Sequence, residues 1–590
     1  MILQALKEYY DRKAADPESG IAPLGWEWKE IPFLVVIDTQ GCFLRFEDTR
    51  ETIEKKLRKK SFLVPSLGEA KGNGIKANLF WENAEYMFGI PMRENSKPER
   101  VAEQHAAFKQ RIHALPFPQN DREVIEAVKK FMDNLDTATI TKDPQWPEVK
   151  ELNQSLLLAV NGIGVVTDDA GVREAVHQAF QEQMTSAKGL CLVTGATENI
   201  TALEPPIGGV QGASTMGAHL IAVNNKISKG GNGGATPAFA SFFKEQGANS
   251  PIGKTASLAY TTALNTLMAK GSRQKIQIGD ATTVFWANKQ TELEESFCDF
   301  WEEPPKDNPD RLTGAVRALF ESVENGAYVS TESDTRFHVL GLAPNAARIA
   351  IRFWHTSTVP EMARNICAYF EDLHIAHGAR DQDDLSLWRL LVSTAVQGKS
   401  ENINPNLAGQ IMRSILEGLP FPAALLQAAV IRIKAEREVS YPRAKLVKAC
   451  LNRKLRTQPN PHERMITMSL DKENTNVGYR LGRLFAVLEK IQQEASPGIN
   501  ATIRDKFYAA ASSVPSTVFG NLMRLKNFNL SKLENTGRRI WFEKLLGEII
   551  EEVSNFPSHL TLDDQGRFAI GYYHQVQDLW TKKTDKTPSV

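Results

Sequence analysis

The sequence predicts an α+β fold: a large mixed α/β N-terminal region followed by an all-α C-terminal helical bundle. In the first 380 residues, apolar runs separated by turn residues predict strands, as in IPFLVVIDTQGCFLRFED with its turn near Gly41. From about residue 380 onward the apolar spacing becomes helical. One such helical face contains Leu481, Leu484, Phe485, Leu488 and Ile491.

The same apolar patterns, that of strands and that of helices, predict further elements. The middle of the chain predicts a helix over 171–185 and short strands over 190–195 (LCLVTG) and 336–343 (RFHVLGLA). The polar segment RTQPNPHER at 456–464 contains two prolines and is typical of a linker. We therefore predict three parts: a mixed α+β region at 1–380, a helical connecting region at 381–467 and a helical bundle at 468–590.

The composition indicates a globular chain of the cytoplasm. Its 590 residues are enough for two or three domains, and 70 basic residues balance 70 acidic ones, so overall charge indicates neither a nucleic-acid nor a membrane partner. No apolar segment has the length of a signal peptide or a membrane span. The five cysteines are dispersed and form no CxxC pair, which indicates reduced thiols.

The first candidate binding segment is EAKGNGIKANLFW at 69–81. Its glycines allow positive φ and a close approach of the backbone to another surface. Lysine can contact phosphate or guanine, and asparagine can pair with the adenine edge. The candidate DNA-binding residues are Lys71, Asn73, Lys76 and Asn78. The alternative interpretation is an ordinary hairpin tip on the surface.

The second candidate segment is IGGVQGASTMGAHLIAVNNKISKGGNGGA at 207–235. Backbone amides in such a glycine-rich stretch can follow a nucleic-acid backbone, much as a nest of N–H groups binds an anion. A loop without a ligand is the alternative. Its candidate DNA-binding residues are Gln211, Asn224, Asn225 and Lys226.

Three basic clusters are candidates for phosphate contacts, with a solvated helix face as the alternative for each. They are EKKLRKK at 54–60, YPRAKLVKACLNRKLR at 441–456, which contains no acid, and the mainly basic stretch 501–540. The candidate backbone-binding residues are Arg443, Lys445, Lys448, Arg453, Lys454, Arg524 and Lys526.

Motifs that would indicate an enzyme fail in their spacing. In GANSPIGKT at 247–255 five residues separate the glycines where a phosphate-binding loop has four, and GIGVVT at 162–167 lacks the third glycine of a dinucleotide site. His374 and His377 precede three aspartates but occur without a further ligand pattern. We expect a binding protein without catalytic residues, cofactor or metal. A nucleic-acid-processing enzyme and an architectural scaffold remain alternatives.

Several blocks in a fixed order are more specific than any of these motifs. They include MILQALKEYY at the start, KGNGIKANLFWENAEYMFG at 71–89, GVQGASTMGAHLIAVNN at 209–225, SLAYTTALNTLM at 257–268, GDATTVFWA at 279–287, HVLGLAPNAARIAIRFW at 338–354 and NVGYRLGRLFAVLEKIQQEA at 476–495. Together they resemble the type I-C CRISPR large-subunit family, also called the Csd family, over nearly the whole chain.

The resemblance implies the large subunit of an RNA-guided Cascade complex in antiviral defence. Such a subunit recognises the protospacer-adjacent motif in duplex DNA, helps to unwind it, stabilises the R-loop and recruits a helicase-nuclease, while the guide RNA reads the target by base pairing. The implied partners are the guide-RNA-bearing backbone and handle-binding subunits, a small subunit, target double-stranded DNA and the helicase-nuclease, with no membrane.

The same resemblance assigns motif reading and strand separation to the two candidate segments. Where the family usually has arginine and proline, this chain has Lys71 and Ala77, and lysine lacks the planar fork of arginine. The family also implies that the helical C-terminal part is made separately from an internal start. Met465 and Met468 lie where the linker ends and are the candidates for that start.

Overall fold

The computed structural model describes residues 2–53, 56–71, 74–117, 122–183, 188–214, 216–223, 246–327 and 333–580. The chain forms two compact units, the first of Met1–Ser272 with Pro344–Ala350 and the second of Arg273–Ala343 with Ile351–Val590. The predicted α+β class is confirmed. The predicted boundaries at 380 and 467 both lie inside the second unit, and the three-part division stays a prediction.

The first unit contains most of the strands. They are β1 (Trp26–Ile31), β2 (Phe33–Ile37), β3 (Phe43–Asp48), β4 (Glu51–Ile53), β5 (Lys56–Arg58), β6 (Lys60–Pro65), β7 (Trp81–Glu82), β8 (Leu156–Val160), β9 (Gly164–Val165), β10 (Lys188–Leu190) and β11 (Thr197–Asn199). Its α-helices are α1 (Ile2–Ala14), α2 (Ala84–Phe88), α3 (Pro98–His113), α4 (Glu123–Asp133), α5 (Thr137–Lys142), α6 (Trp146–Leu152), α7 (Ala170–Gln183) and α8 (Lys254–Leu267).

A five-stranded mixed sheet forms the centre of the first unit, in the order β3-β2-β8-β7, with β9 also paired to β8. β2 and β8 run parallel, from Phe33 opposite Leu156 to Ile37 opposite Val160. Their sequences, FLVVI and LLLAV, are buried at every position, as expected for strands covered on both faces. α4 packs on these two strands.

The predicted hairpin at Gly41 is confirmed as the antiparallel pair β2 and β3. Gly41 has φ +82°, and a Cβ on it would lie 2.5 Å from the backbone nitrogen of Phe131. Glycine is therefore required both by the left-handed backbone and by the close approach of α4. The predicted helix over 171–185 corresponds to α7 as far as Gln183.

The predicted strand over 190–195 is wrong. β10 ends at Leu190, and residues 191–195 form the turn that connects it to β11. Main-chain hydrogen bonds inside this turn, such as that from Gly195 N–H to the Cys191 carbonyl at 2.9 Å, replace strand pairing. The apolar residues of LCLVTG therefore do not form a buried strand. Two of them, Leu190 and Leu192, are exposed.

The second unit combines a four-stranded antiparallel sheet with many helices. Its strands, in spatial order, are β12 (Lys275–Ile278), β13 (Ala281–Ala287), β14 (Arg336–Asn345) and β15 (Arg348–Thr358). Its α-helices are α9 (Glu292–Ser296), α10 (Arg311–Glu324), α11 (Val359–Leu373), α12 (Leu387–Val392), α13 (Pro405–Leu416), α14 (Ala423–Glu436), α15 (Tyr441–Thr457), α16 (Val477–Ala495), α17 (Ile503–Ala511), α18 (Pro515–Ser531), α19 (Thr536–Ile550) and α20 (Leu562–Trp580). β14 confirms the strand predicted over 336–343.

Short 3-10 helices complete the described elements of both units. They are Pro17–Ser19, Val166–Asp168, Gln246–Asn249, Phe297–Phe300, Val396–Gly398 and Ser400–Asn402. Within the described ranges, no helix is both long and apolar enough to cross a membrane.

α16 is the central helix of the C-terminal bundle, and its residues from Gly478 to Glu489 are all buried. It packs mainly on α20, where glycines allow the two backbones to approach closely: a Cβ on Gly482 would lie 2.0 Å from the Phe568 carbonyl oxygen. α20 also packs on α14 and α15, with Gly566 facing Leu426, Val447 and Leu451. One hydrophobic core therefore continues across the predicted 467/468 boundary.

We predict that Gly482→Ala destabilises the second unit by about 1–3 kcal/mol, because the added methyl group forces α16 and α20 apart. Gly547→Ala is the matched control, since this exposed position of α19 has no atom within 4 Å of an added Cβ. The control should gain about 0.5–1 kcal/mol from helix propensity. Urea unfolding of both full-length variants checks the prediction, and shifts of the same sign would contradict it.

Candidate nucleic-acid interface

An open cleft of about 1110 Å³ lies in the first unit, beside the first candidate segment. Both Lys71 and Asn78 line it. Charged side chains make up much of its wall. The basic ones are Lys29, Lys59, Lys71, Arg93, Lys97 and Arg100, and the acidic ones are Glu30, Glu82 and Glu85. Basic residues therefore outnumber acidic ones by six to three in this basic cleft.

The carboxylate of Glu82 organises the polar groups of the basic cleft. Glu82 ends β7 and is 3% exposed. Its Oε1 accepts hydrogen bonds from the backbone N–H and the side-chain amide of Asn78, each at 3.0 Å, and from the ammonium group of Lys71. Its Oε2 accepts from the backbone N–H of Asn83 at 3.3 Å. These donors compensate the cost of burying a carboxylate.

Asn78 is consequently engaged inside the protein. It is 4% exposed, and its amide group donates to Glu82, so its edge does not face solvent in this structure; its role as a base contact stays a prediction. The physical reason is that the buried carboxylate needs this donor. Lys76 is half-buried and forms an ion pair with Glu69 at 2.8 Å. Asn73 lies outside the described residues.

Lys71 is held but remains accessible. Its side chain is 34% exposed, and Nζ lies 4.6 Å from the centre of the Tyr86 ring while it binds Glu82. Burial, followed by the charge of Glu82, raises the pKa of Tyr86, so this phenol is neutral at physiological pH. Lys71 therefore presents part of its positive charge to the basic cleft.

The acidic side chains of the basic cleft have hydrogen-bond or ion-pair partners within the protein, whereas several of its cations have no ion-pair partner among the described residues. Glu85 accepts from the Ser96 hydroxyl and from the Met92 N–H, and Glu30 pairs with Lys270 at 3.2 Å. Within the described part of the chain, five cleft cations have no ion-pair partner, namely Lys29, Lys59, Arg93, Lys97 and Arg100. Such unpaired charge is suited to an anionic ligand.

Sequence reasoning missed the contribution of α3 to this surface. Arg93, Lys97 and Arg100 are exposed and surround the start of the 16-residue helix α3. No side chain caps the helix at Lys97, and its N-terminal N–H groups add positive potential to that of the three cations. The sequence pattern that could have predicted this surface is RENSKPER at 93–100, where basic residues lie beside a proline that begins a helix.

The second candidate segment is described in part, over 207–214 and 216–223. Its base is anchored by the paired residues Ile207 and Ala218, which exchange hydrogen bonds at 2.8 and 2.9 Å. Gln211 is exposed, and Met216 lines the basic cleft. The structure thus brings both candidate segments to one surface. Asn224, Asn225 and Lys226 lie outside the described residues.

The basic helix predicted at 441–456 is α15, and most of its cations point inward. Four predicted phosphate contacts are at most 6% exposed: Arg443, Lys445, Lys448 and Arg453. Burial lowers the pKa of Lys445 to about 8 and that of Lys448 to about 8. Side chains enclosed in this way do not reach the surface in this structure, which does not favour phosphate contacts; the assignment of these four residues stays a prediction.

Their partners are mainly backbone carbonyl groups of neighbouring segments. Lys448 donates to the carbonyl of Asp372 at 3.0 Å, and Arg453 donates to that of Ser414 at 2.6 Å. The Asp372 carboxylate also lies 3.5 Å from Arg453 and binds Arg456. These cations therefore satisfy carbonyl groups that the ends of α11 and α13 leave free.

The other predicted cations lie nearer to solvent. Lys454 is half-exposed and pairs with Asp563 at 2.5 Å, and Arg524 is exposed on α18. Lys526 is largely buried and lies 3.5 Å from Glu543. Met465 and Met468 are exposed in the connection between α15 and α16.

The segment 247–255, whose glycine spacing differs from that of a phosphate-binding loop, has a structural role. α8 begins directly after Gly253, and the Glu198 carboxylate lies at its N-terminus, where Oε2 accepts the N–H of Thr255 at 3.3 Å. A Cβ on Gly253 would lie 1.8 Å from that carboxylate group. The protein's own anion thus occupies the place where a phosphate would bind such a helix.

The histidine pair also has local partners. His377 Nε2 lies 3.1 Å from Asp383, and burial lowers the pKa of His374. In the ranges that the structure describes, no three His, Cys, Asp or Glu side chains are grouped to hold a metal ion.

The family model described as "CRISPR-associated protein (Cas_Csd1)" matches residues 6–580. A search of curated proteins finds no match.

We predict that Arg453→Met destabilises the second unit by about 3 kcal/mol, because it leaves carbonyl groups and part of the Asp372 charge buried without a partner. Lys454→Gln is the matched control on the same helix, and loss of its surface ion pair should cost less than about 1 kcal/mol. Chemical unfolding of the full chain measures both. Equal, small effects would indicate that Arg453 is not a structural residue.

Proposed function

Since the chain belongs to the Cas_Csd1 family of CRISPR-associated proteins, we propose that it is the large subunit of an RNA-guided type I-C interference (Cascade) complex. In this role it binds duplex DNA, recognises the protospacer-adjacent motif, helps to unwind the duplex, stabilises the R-loop and recruits the helicase-nuclease. The guide RNA selects the target by base pairing, so the protein itself needs a short motif contact and strong phosphate binding. It acts by binding and carries out no chemical step.

The observation that best supports this proposal is the convergence of both candidate segments on the basic cleft. Lys71 comes from the first segment and Met216 from the second, and both line the same cleft. Duplex DNA carries one negative charge for about every 1.7 Å of its axis, so a cleft with unpaired cations gains affinity by releasing counterions. The near-zero net charge of the whole chain does not oppose this, because the positive charge is local.

The candidate residues have two roles in this proposal. Lys59, Arg93, Lys97 and Arg100 would contact phosphates, because they are basic and have no ion-pair partner within the described ranges. Gln211 and Lys71 would contact base edges or phosphates near the motif. Asn73, Asn224, Asn225 and Lys226 remain candidates for the same role, and their positions lie outside the described residues.

The partners follow from the same proposal. The guide-RNA-bearing backbone and handle-binding subunits hold the complex together, and a small subunit is made from the same reading frame. Its start would be Met465 or Met468, which gives a product of 126 or 123 residues. Both methionines precede α16, the central helix of the bundle, so either start keeps the helices α16 to α20.

We predict that changing Met465 and Met468 together to leucine removes the short product from a denaturing gel while the full chain persists. Met523→Leu, a methionine inside α18, is the control and should leave the short product in place. If the short product persists in the double variant, neither methionine is its start, and the internal-start assignment is wrong.

We predict that Arg93→Gln, Lys97→Gln and Arg100→Gln together weaken duplex binding by the assembled complex whether the flanking motif is correct or scrambled. The slope of log K against log salt should fall in magnitude by about 3, because each cation accounts for about one phosphate contact. The ratio between the two duplexes should change little, since phosphate contacts carry no sequence information.

Three exposed lysines of the same unit that do not line the basic cleft provide the matched control: Lys130→Gln, Lys142→Gln and Lys150→Gln. This control carries the same change in net charge, so its salt slope should equal that of the wild type. An unchanged slope in the cleft variant would favour the scaffold interpretation, in which the subunit does not bind DNA.

A further inference from the structure

Lys71 differs from the cations around the start of α3 because its side chain is held at two points. Its ammonium group binds the Glu82 carboxylate, and Nζ lies 4.6 Å from the centre of the Tyr86 ring. The three cations around the start of α3 are exposed and have no ion-pair partner within the described ranges. The side chain of Lys71 is nevertheless 34% exposed and lines the basic cleft. It is therefore fixed in position and still accessible to a ligand.

The two groups that hold Lys71 are themselves buried and anchored. Glu82 is 3% exposed, and its carboxylate also accepts hydrogen bonds from Asn78 and from the backbone N–H of Asn83. Tyr86 is 5% exposed and belongs to α2, where its N–H donates to the capping side chain of Asn83 at 3.2 Å. Lys71 is therefore attached to groups that have little freedom to move.

Holding Lys71 in this way changes the contacts that it can make. A free lysine has a flexible four-carbon stem, loses rotamer entropy when it binds, and can follow the nearest phosphate. For Lys71 much of that entropy is lost before a ligand arrives. Its ammonium group has three N–H donors, so a donor remains for a ligand while the contact with Glu82 persists. A donor at a fixed position is suited to a base edge, which must be met in one geometry.

We propose that Glu82 and Tyr86 are positioning residues that hold Lys71 for contact with a base edge of the motif. The inference rests on the proposed function and narrows the role of Lys71, which in that proposal contacts either bases or phosphates. In the major groove guanine offers the acceptors N7 and O6 to such a donor, whereas cytosine presents an amino group. Because Lys71 is held away from the phosphates, it adds little to the binding of a duplex that lacks the motif.

Duplex binding by the assembled complex, with the flanking motif correct or scrambled and at two salt concentrations, tests this role. Glu82→Gln keeps the shape of the side chain and an acceptor for Asn78, but it removes the charge that holds Lys71. The released lysine should reach a phosphate of either duplex. Affinity for the scrambled duplex should therefore rise by about threefold, and its slope of log K against log salt should steepen by about 1. The ratio of the two affinities should fall by about fivefold, because the base contact loses its fixed donor.

Two comparisons separate positioning from a general effect of charge. Glu85→Gln removes the same charge from the same cleft, but the partners of Glu85 are Ser96 and the Met92 N–H. Both affinities should rise alike in this control, and their ratio should stay within about twofold of the wild-type ratio. Adding Lys71→Gln to Glu82→Gln should abolish the gain for the scrambled duplex, because that gain is made through Lys71.

Tyr86 provides a second variant that leaves the carboxylate in place. Tyr86→Leu removes the ring beside Lys71 and keeps an apolar side chain, so the ratio should fall by about twofold or more. Tyr86→Phe keeps the ring and should retain the discrimination that Tyr86→Leu loses. Urea unfolding of each free chain shows whether the variant folds.

The outcomes are distinct. Equal losses of affinity for both duplexes in a folded Glu82→Gln variant would overturn the assignment, because Glu82 would then only support the loop. An unchanged ratio would overturn it as well. If Glu82→Gln does not fold, the comparison of Tyr86→Leu with Tyr86→Phe decides, and equal ratios in these two variants overturn the assignment. If the wild-type complex binds both duplexes equally, the proposed motif recognition is wrong, and the positioning role fails with it.

Discussion

The buried carboxylate of Glu82 is the interaction on which the basic cleft depends. It lies at the end of a strand of the central sheet and draws Lys71 and Asn78 of the preceding loop toward itself. The loop is thereby connected to the central sheet of the first unit. A carboxylate in this position also lowers the local positive potential, so that the positive potential of the cleft comes mainly from the cations around the start of α3.

Features governed by local spacing could be predicted from the sequence. The hairpin at Gly41 followed from a turn between apolar runs, and α16 followed from its periodic apolar face. The strand predicted over 190–195 was wrong because apolar residues that are exposed near a turn cannot be distinguished in the sequence from apolar residues of a buried strand. The predicted α+β class depended on many such segments together, and therefore tolerated individual errors.

The candidate site was harder to predict, because charge in a sequence does not show which way a side chain points. The cations of α15 have helical spacing suited to a DNA-binding face, yet several of their acceptors are carbonyl groups distant along the chain: Arg453 donates to Leu419, 34 positions away, and Lys448 donates to Asp372, 76 positions away. The partner of Asn78 could not be predicted for a similar reason, since Glu82 became visible as a buried acid only in the fold. Conversely, Arg93, Lys97 and Arg100 belong to no dense basic run, and tertiary structure alone places them beside Lys71.

The packing of α20 has a consequence for the proposed short product. In the full chain, Gly566 of α20 faces Leu426, Val447 and Leu451, so α14 and α15 cover this side of the last helix. A product that starts at Met465 or Met468 lacks both covering helices. The same residues would then be interior in the long form and surface in the short form. One coding sequence would then supply two proteins that differ in their tendency to associate. The long form covers its own apolar surface, and the short form exposes an apolar surface that can bind another protein.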